Sequence, residues 1–472
     1  MSRRMINRRT RPVDAATPTA IMDRDLRAVL ALGDPRALDA WLEHTASPQE
    51  RSDQLDELSD DDVVALAGAL DLPTGLELFD GVEPDVLTRV LVRLPLAQAA
   101  GLLDAFDADV TADVLRDMRA EERERLLTAM GRAHSAVVRG LLSWPEDSAA
   151  AQMSPNAVTV RPIWVVQDAV RAIRVAAADL QADSHTAAYV YVTSADAQVV
   201  GVVTFRALVF AEPGTLVAQI MDEDVVTVDP LEDQEQAAAV LTDHRLLAVP
   251  VVDDDGVLLG LLTADDVADI LEEETTEDAE KQGGSSPLDV PYLRASPWLL
   301  WRKRIVWLLV LFLAEMYTGT VLRHFEDELA QVVALSFFIP LLIGTGGNSG
   351  TQITTTLVRA MAVGEVRLRN VLLVLRKEMS TAVLVAASVA ALAWVRALTL
   401  NVGNEVALTV TVTVAAIVLW SAFVASVLPL VLKRLGLDPA VVSAPMITTV
   451  VDGTGLIIYF TVAHLLIGAL GG

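Results

Sequence analysis

Apolar positions follow three different rhythms along the chain. Over residues 25–143 they recur at three- and four-residue spacing, as in Val86, Leu87, Val90, Leu91, Leu94, Leu102 and Leu103. That is the period of a helix with one buried face. Asp34-Pro35, Leu72-Pro73, Glu83-Pro84 and Leu94-Pro95 punctuate it, which predicts short helices stacked into a superhelix. The rhythm then changes to β-rich runs. Ala188-Tyr189-Val190-Tyr191-Val192 and Val199-Val200-Gly201-Val202-Val203 flank a polar turn. The layout returns sixty residues later as Ala248-Val249-Pro250-Val251-Val252, an Asp253-Asp254-Asp255-Gly256 turn and an apolar run at 257–262. Met153 and Met221, followed by Val158-Thr159-Val160 and Val226-Thr227-Val228, open the two copies. An internal repeat of strand, helix, strand, strand, helix is predicted. Next comes a helix with Asp269, Glu272, Glu273, Glu274, Glu277, Asp278 and Glu280, ended by Gly283-Gly284-Ser285-Ser286-Pro287. The third rhythm is continuous apolarity, at 305–322, 330–361, 380–400, 406–432 and 441–470. About 20 apolar residues cross roughly 30 Å of hydrocarbon, so these are five candidate spans.

The predicted fold class is therefore a multidomain α-helical membrane protein. Its parts are a basic tail (1–22), an α-helical superhelical domain (23–150), an α/β repeat (151–264), an acidic helix and linker (265–297) and a five-helix membrane domain (298–472).

Charge sharpens this division. The 472 residues carry a net charge of −27, yet from Ile305 onward there are nine acids and nine bases. The whole acidic excess precedes the membrane half. Such a surface argues against nucleic acid as a partner, which requires basic patches, and suits divalent metal ions. There is no cysteine and the six histidines are scattered, so a metal ligand set would be hard oxygen. Arg3, Arg4, Arg8, Arg9 and Arg11 precede no apolar run, which predicts a disordered tail that stays in the cytosol. Arg302-Lys303-Arg304, then Arg367, Arg369, Arg376 and Lys377, then Lys433-Arg434 mark alternate loops, while the opposite loops hold Arg323-His324. Positive residues face the cytosol, so the acidic half is placed inside and the C-terminus outside a lipid bilayer.

Asp452 lies near the middle of the last span. An intramembrane carboxylate is costly and marks a candidate ion path. Thr448, Asp452, Gly455 and Tyr459 share its helical face. The second span contains Gly344-Thr345-Gly346-Gly347-Asn348-Ser349-Gly350. No Lys follows it, so it is not a phosphate loop. Both close helix packing and a broken helix lining a water-filled path are expected. Asp109 and Asp113, four apart, share one helix side.

The α/β repeat resembles a tandem pair of CBS domains, which implies regulation by adenine nucleotides or metal ions. Their Gly-x-x-Thr-x-x-Asp motif is present as Gly260, Thr263 and Asp266; the first copy has Gly201, Thr204 and Ala207, without the acid. ATP at Thr263 and Asp266 is implied, beside a purely structural, helix-capping Asp266.

The glycine stretch resembles the MgtE family of magnesium channels. So do Val358-Arg359-Ala360, Gly364-Glu365, Asp438-Pro439-Ala440, and Pro445 with Asp452-Gly453-Thr454-Gly455. Pro145-Glu146-Asp147-Ser148-Ala149, and Thr276-Glu277-Asp278 before Pro291-Tyr292-Leu293, match as well. The resemblance covers all but the tail. It implies a homodimer with a pore between second and fifth spans, lined by Asp452, Thr448, Gly344, Gly347 and Asn348. It implies a plug helix over 267–282 and closure by cytosolic Mg2+. The acids matching its regulatory positions are Glu77, Asp109, Asp113, Asp233, Glu235, Asp266, Asp269, Glu274, Glu277 and Asp278. Arg245 stands where an acid is expected, and Ala444 where a pore-side Asn is common. Glu315 in the first span has no implied role. The expectation is a passive, Mg2+-gated magnesium importer and not an enzyme. An importer of Mn2+ or Co2+, or a membrane-bound nucleotide sensor without transport, stays open on the residues alone.

Overall fold

The structure, a computed structural model, describes residues 25–33, 35–43, 47–179, 189–288, 290, 292–441 and 444–468. The expected tail at 1–22 and Ala188 lie outside the described residues. The chain divides into two compact units, Met1–Glu272 and Glu273–Gly472.

The first unit opens with ten helices among the described residues, α1 (Leu26–Leu30) through α10 (Arg132–Leu141). The prolines begin these helices. Pro84 starts α6 (Pro84–Arg93), and Pro73 lies in the first turn of α5 (Leu72–Phe79), where a missing N–H costs nothing. A capping box starts α4 (Asp60–Ala69): Ser59 Oγ accepts from Asp62 N–H at 3.3 Å, and Asp62 Oδ2 accepts from Ser59 N–H at 3.0 Å. The periodic residues close inward, with Leu66, Leu78, Leu87, Leu91, Leu103 and Val114 buried in one core. Each buried aliphatic side chain contributes about 1.5–3 kcal/mol. The core continues into the second repeat through Val249, Leu262, Val267 and Ile270.

In the first repeat β1 (Thr159–Val160) pairs parallel with β2 (Tyr189–Thr193), and β2 antiparallel with β3 (Val199–Thr204), Tyr191 facing Val202. In the second, β4 (Ala248–Val252) and β5 (Leu258–Thr263) pair antiparallel. The strand expected at Val226-Thr227-Val228 is reduced to one parallel bridge, Val228 to Val251. Helices α11 (Val166–Asp179), α12 (Phe205–Phe210), α13 (Gln234–His244) and α14 (Ala264–Gln282) complete the layout. Tyr191 Oη donates to Ala248 O at 3.2 Å and Gln198 Nε2 to Asp255 O at 2.7 Å, joining the copies.

The second unit holds the end of α14 and then α15 (Pro297–His324), α16 (Glu326–Gln331), a 3-10 turn (Val333–Phe338), α17 (Ile339–Ala362), α18 (Val371–Thr399), α19 (Asn404–Arg434) and α20 (Ala444–Leu466). Among the described residues, five helical segments are long and apolar enough to cross a membrane. Leu308 and Phe312 on α15, and Leu372, Leu384 and Leu392 on α18, are exposed, as expected of residues facing hydrocarbon. Helices α19 and α20 are the most enclosed of the five, with Val410, Val414, Ile417, Val418 and Ala422 buried on α19 and Ile447, Val451, Leu456 and Tyr459 on α20.

The expected break in the second span is not there. Helix α17 runs unbroken through the glycines. What they supply is proximity. A Cβ on Gly346 would come within 2.7 Å of Ile417 and Val451, and one on Gly350 within 2.5 Å of Ile447. With those Cβ atoms gone, α19 and α20 approach α17 closely enough for packing and for Ser421 Oγ to reach Gly346 O at 2.7 Å.

The linker after α14 is held against the first and last spans. Gly284 has φ +76°, a conformation that favours glycine, and a Cβ there would meet the Trp307 ring at 2.8 Å and Pro445 at 3.4 Å. Ser286 N–H donates to Lys303 O at 3.1 Å.

Candidate ion pathway and acidic clusters

Asp452 is only 8 % exposed, and among the described residues its Oδ1 has no hydrogen-bond partner. The glycine after it brings α15 close. A Cβ on Gly453 would lie 2.6 Å from the Tyr317 ring and 3.2 Å from Thr318 Oγ1. Thr318 is itself 7 % exposed, and its Oγ1 is also unpartnered among the described residues. Glu315, a turn earlier, is near enough for its charge to act on Asp452. Glu315 has no role implied by the sequence, and Thr318 carries only one signal there, its place three residues beyond an intramembrane carboxylate.

The face shared by Thr448, Asp452, Gly455 and Tyr459 is closed within the subunit. Gly455 abuts Ile417, and Tyr459 Oη donates to Leu335 O at 2.9 Å. Thr448 packs on Gly347, where a Cβ would meet it at 2.9 Å. Gly344 and Asn348 lie elsewhere on α17, on an exposed stripe that continues through Gln352, Thr355 and Arg359.

In the first unit, Asp109 and Asp113 lie on α8 (Ala108–Arg116). Burial pushes the Asp113 carboxyl up to about 7; Arg116, 2.8 Å away, opposes this and Asp109 adds to it. Burial likewise pushes Asp266 up to about 7, against hydrogen bonds from Thr263 N–H (2.8 Å) and Oγ1 (2.6 Å), with Asp109 again adding repulsion. Asp269 is raised by burial and by Asp265 and Glu272. Asp109, Asp113 and Asp266 thus share one electrostatic neighbourhood. Asp266 also fastens the first turn of α14 to Thr263, the structural role considered for it. Asp233 caps α13, its Oδ1 accepting from Glu235 N–H at 3.1 Å and Gln236 N–H at 3.3 Å. Arg245 ends that helix in the left-handed conformation at φ +54°. Glu77 is exposed on α5.

In the second unit, Lys281 Nζ binds Glu277 at 2.6 Å and Asp438 at 2.8 Å. Asp278 is raised by burial and by Asp438, with Lys281 opposing. Glu274 is half-buried on α14. Among the described residues no three carboxylate or imidazole side chains form a ready metal cage.

A family model described as a divalent cation transporter, MgtE, matches residues 339–462. The MgtE intracellular N domain matches 46–147 and the CBS domain 217–273. Magnesium transporter MgtE of Thermus thermophilus is 36 % identical over 454 residues, 94 % of this chain and 98 % of that one. Its namesake in Bacillus subtilis is 29 % identical over 447 residues, 95 % of each. A crystal structure of the cytosolic domain of the Mg2+ channel MgtE in complex with ATP is 33 % identical, covering 52 % of this chain and 98 % of that one, with a TM-score of 0.47.

Proposed function

The chain belongs to the MgtE family of divalent cation transporters, and from that premise we propose that it is a magnesium channel, importing Mg2+ down its gradient and closed by cytosolic Mg2+. The observation that carries this is Asp452, buried at membrane depth with an oxygen that no described donor satisfies. A carboxylate so placed attracts a cation strongly, because little water screens it. Mg2+ dehydrates reluctantly and keeps most of its waters on one or two carboxylates, so the site selects a hydrated ion by size and charge.

A homodimer is supported by α17. Its stripe of Gly344, Asn348, Gln352 and Thr355 is exposed in a single chain. Polar side chains facing lipid are unfavourable, whereas a second copy across a two-fold axis would cover them and set Gly344 and Asn348 along one path, with Gly347 and Thr448 packed on each other behind it. The basic loops support an outside C-terminus.

Regulatory Mg2+ would be held in the first unit by the acids near α8 and the start of α14, Asp109, Asp113, Asp266 and Asp269, and separately in the second unit by Glu274, Glu277 and Asp278. Glu77, Asp233 and Glu235 are the remaining candidates. The repulsion that Asp109 exerts on both Asp113 and Asp266 fits a bridging cation. ATP at Thr263 and Asp266 would have to displace their mutual hydrogen bonds, so magnesium is the regulator we favour.

The test is Mg2+ flux into proteoliposomes of the full chain, with Mn2+ and Co2+ as competitors. Wild type is expected to conduct Mg2+ and elute as a dimer. Asp452→Asn is expected to elute identically and conduct less than about a tenth as much, the loss of one charge from each subunit. Undiminished flux in Asp452→Asn defeats the proposal, and preferential Mn2+ or Co2+ flux assigns the path to those ions.

A further inference from the structure

The first span carries a carboxylate that the proposed function leaves unused. Glu315 is half-buried in α15, within the apolar run that crosses the bilayer. Among the described residues it has no cationic partner. An ionisable group at that depth is retained where it faces a partner or an ion path.

The register of α15 on α20 says which. Val321 clusters with Leu456 and Phe460, and Tyr317 and Thr318 border Gly453. The two helices therefore run in the same direction, and the preceding turn of α15 carries Glu315 to the level of Asp452, whose carboxylate its charge reaches. Glu315, Thr318 and Leu322 fall at i, i+3, i+7 and share that face. Between the helices lie two deeply buried oxygens that lack described partners, Asp452 Oδ1 and Thr318 Oγ1. Two neighbouring carboxylates with no protein cation leave a concentrated negative charge for a ligand to neutralise.

Resting on the magnesium-channel reading, we propose that Glu315 and Thr318 belong to the cation site: Glu315 adds a second carboxylate from α15 beside Asp452, and Thr318 turns its hydroxyl to the hydrated ion. The donor set is two carboxylates and a hydroxyl, all hard oxygen, which suits Mg2+ with its remaining waters. Doubling the charge in a poorly screened place roughly doubles its attraction for a cation, and a divalent ion gains twice what a monovalent one does. Glu315 is thus a specificity-determining residue, and Gly453 is the missing side chain that lets it come near.

Two measurements test this. In proteoliposomes of the full chain, Glu315→Gln and Thr318→Val are each expected to raise the Mg2+ concentration for half-maximal flux, the former by about tenfold or more, and Glu315→Gln to admit Na+. Glu315→Asp is expected to restore most of the Mg2+ preference. Unchanged half-saturation and unchanged exclusion of Na+ in Glu315→Gln overturn the assignment. The second measurement does not depend on transport. The chain contains no cysteine, so Glu315→Cys and Asp452→Cys can be combined without background, and Cd2+ added to the detergent-solubilised full chain. Thiolate-to-Cd2+ absorption from the double variant, absent from either single one, supports the juxtaposition; no absorption from the double variant overturns it. Failure of wild type to conduct Mg2+ would count against the channel reading alone, since the Cd2+ result stands apart from it.

Discussion

Gly344 and Gly350 share a helix and have opposite surroundings. Nothing lies within 4 Å of a Cβ built on Gly344, whereas one on Gly350 would stand 2.5 Å from Ile447 and 2.7 Å from Ser421 Oγ. Overpacking of that kind costs about 1–3 kcal/mol. Gly350→Ala is therefore expected to lower the midpoint of thermal unfolding in detergent by several degrees, while Gly344→Ala leaves it unchanged or higher. Equal effects from the two would mean that the glycines do not set helix approach. Glycine spacing implies close packing but does not say which glycines touch neighbours. Asp452 was legible for a similar reason: the cost of a carboxylate in an apolar run is local. The placement of Glu315 and Thr318 near it was not, because that depends on the register of helices at opposite ends of the membrane half.

At the scale of the element, helical and strand periods were sufficient to mark the stack of short helices over 25–143 and the repeat that follows, since each reflects burial on one face. The glycine stretch misled because a run of small residues reads alike whether the helix breaks or packs; close neighbours on α19 and α20 decided it. Helices α8 and α14 carry a consequence for pH. Burial pushes the Asp113 and Asp266 carboxyls up to about 7 in the folded protein, from an ordinary value of 3.8. Across that window the folded state holds more protons than the unfolded one, so their contribution is present at low pH and lost as pH rises towards about 7. Metal-free full chain is accordingly expected to resist proteolysis of its soluble half better at about pH 5.5 than at about pH 8. Added Mg2+ should restore more at the higher pH, where the carboxylates are ionised. A resistance that rises with pH in the metal-free protein would contradict the burial of these two groups.

For the whole molecule, the segregation of charge was the most legible property. An excess of 27 negative charges lies before Ile305, and like charges in partly desolvated places oppose compaction until something neutralises them. If divalent cations do so, they favour the state that binds them by the difference in affinity between states. Neutralising Asp109, Glu274 and Asp278 together, as Asp109→Asn, Glu274→Gln and Asp278→Asn, is expected to leave conduction intact and weaken inhibition by cytosolic Mg2+. The checks are flux at controlled Mg2+ on the cytosolic side and protease cleavage in the linker at 282–291, at fixed ionic strength. Wild-type inhibition in the triple variant, or no protection of the linker by Mg2+ in wild type, removes these acids from the sensor. A merely solvated acidic surface would respond to monovalent salt as well.

The contact of Gly284 with Trp307 has an optical consequence. The backbone of the linker lies against the indole at a distance where even a methyl group would collide, and Pro445 borders the same glycine. An indole emits at a wavelength set by the polarity around it. Any displacement of the linker from this seat exchanges protein for solvent beside the ring. Trp307 is thus a fluorophore already installed where the soluble half enters the membrane. A variant that keeps it while replacing the other tryptophans by Phe would convert linker movement into a colour shift, read in unlabelled protein and in real time.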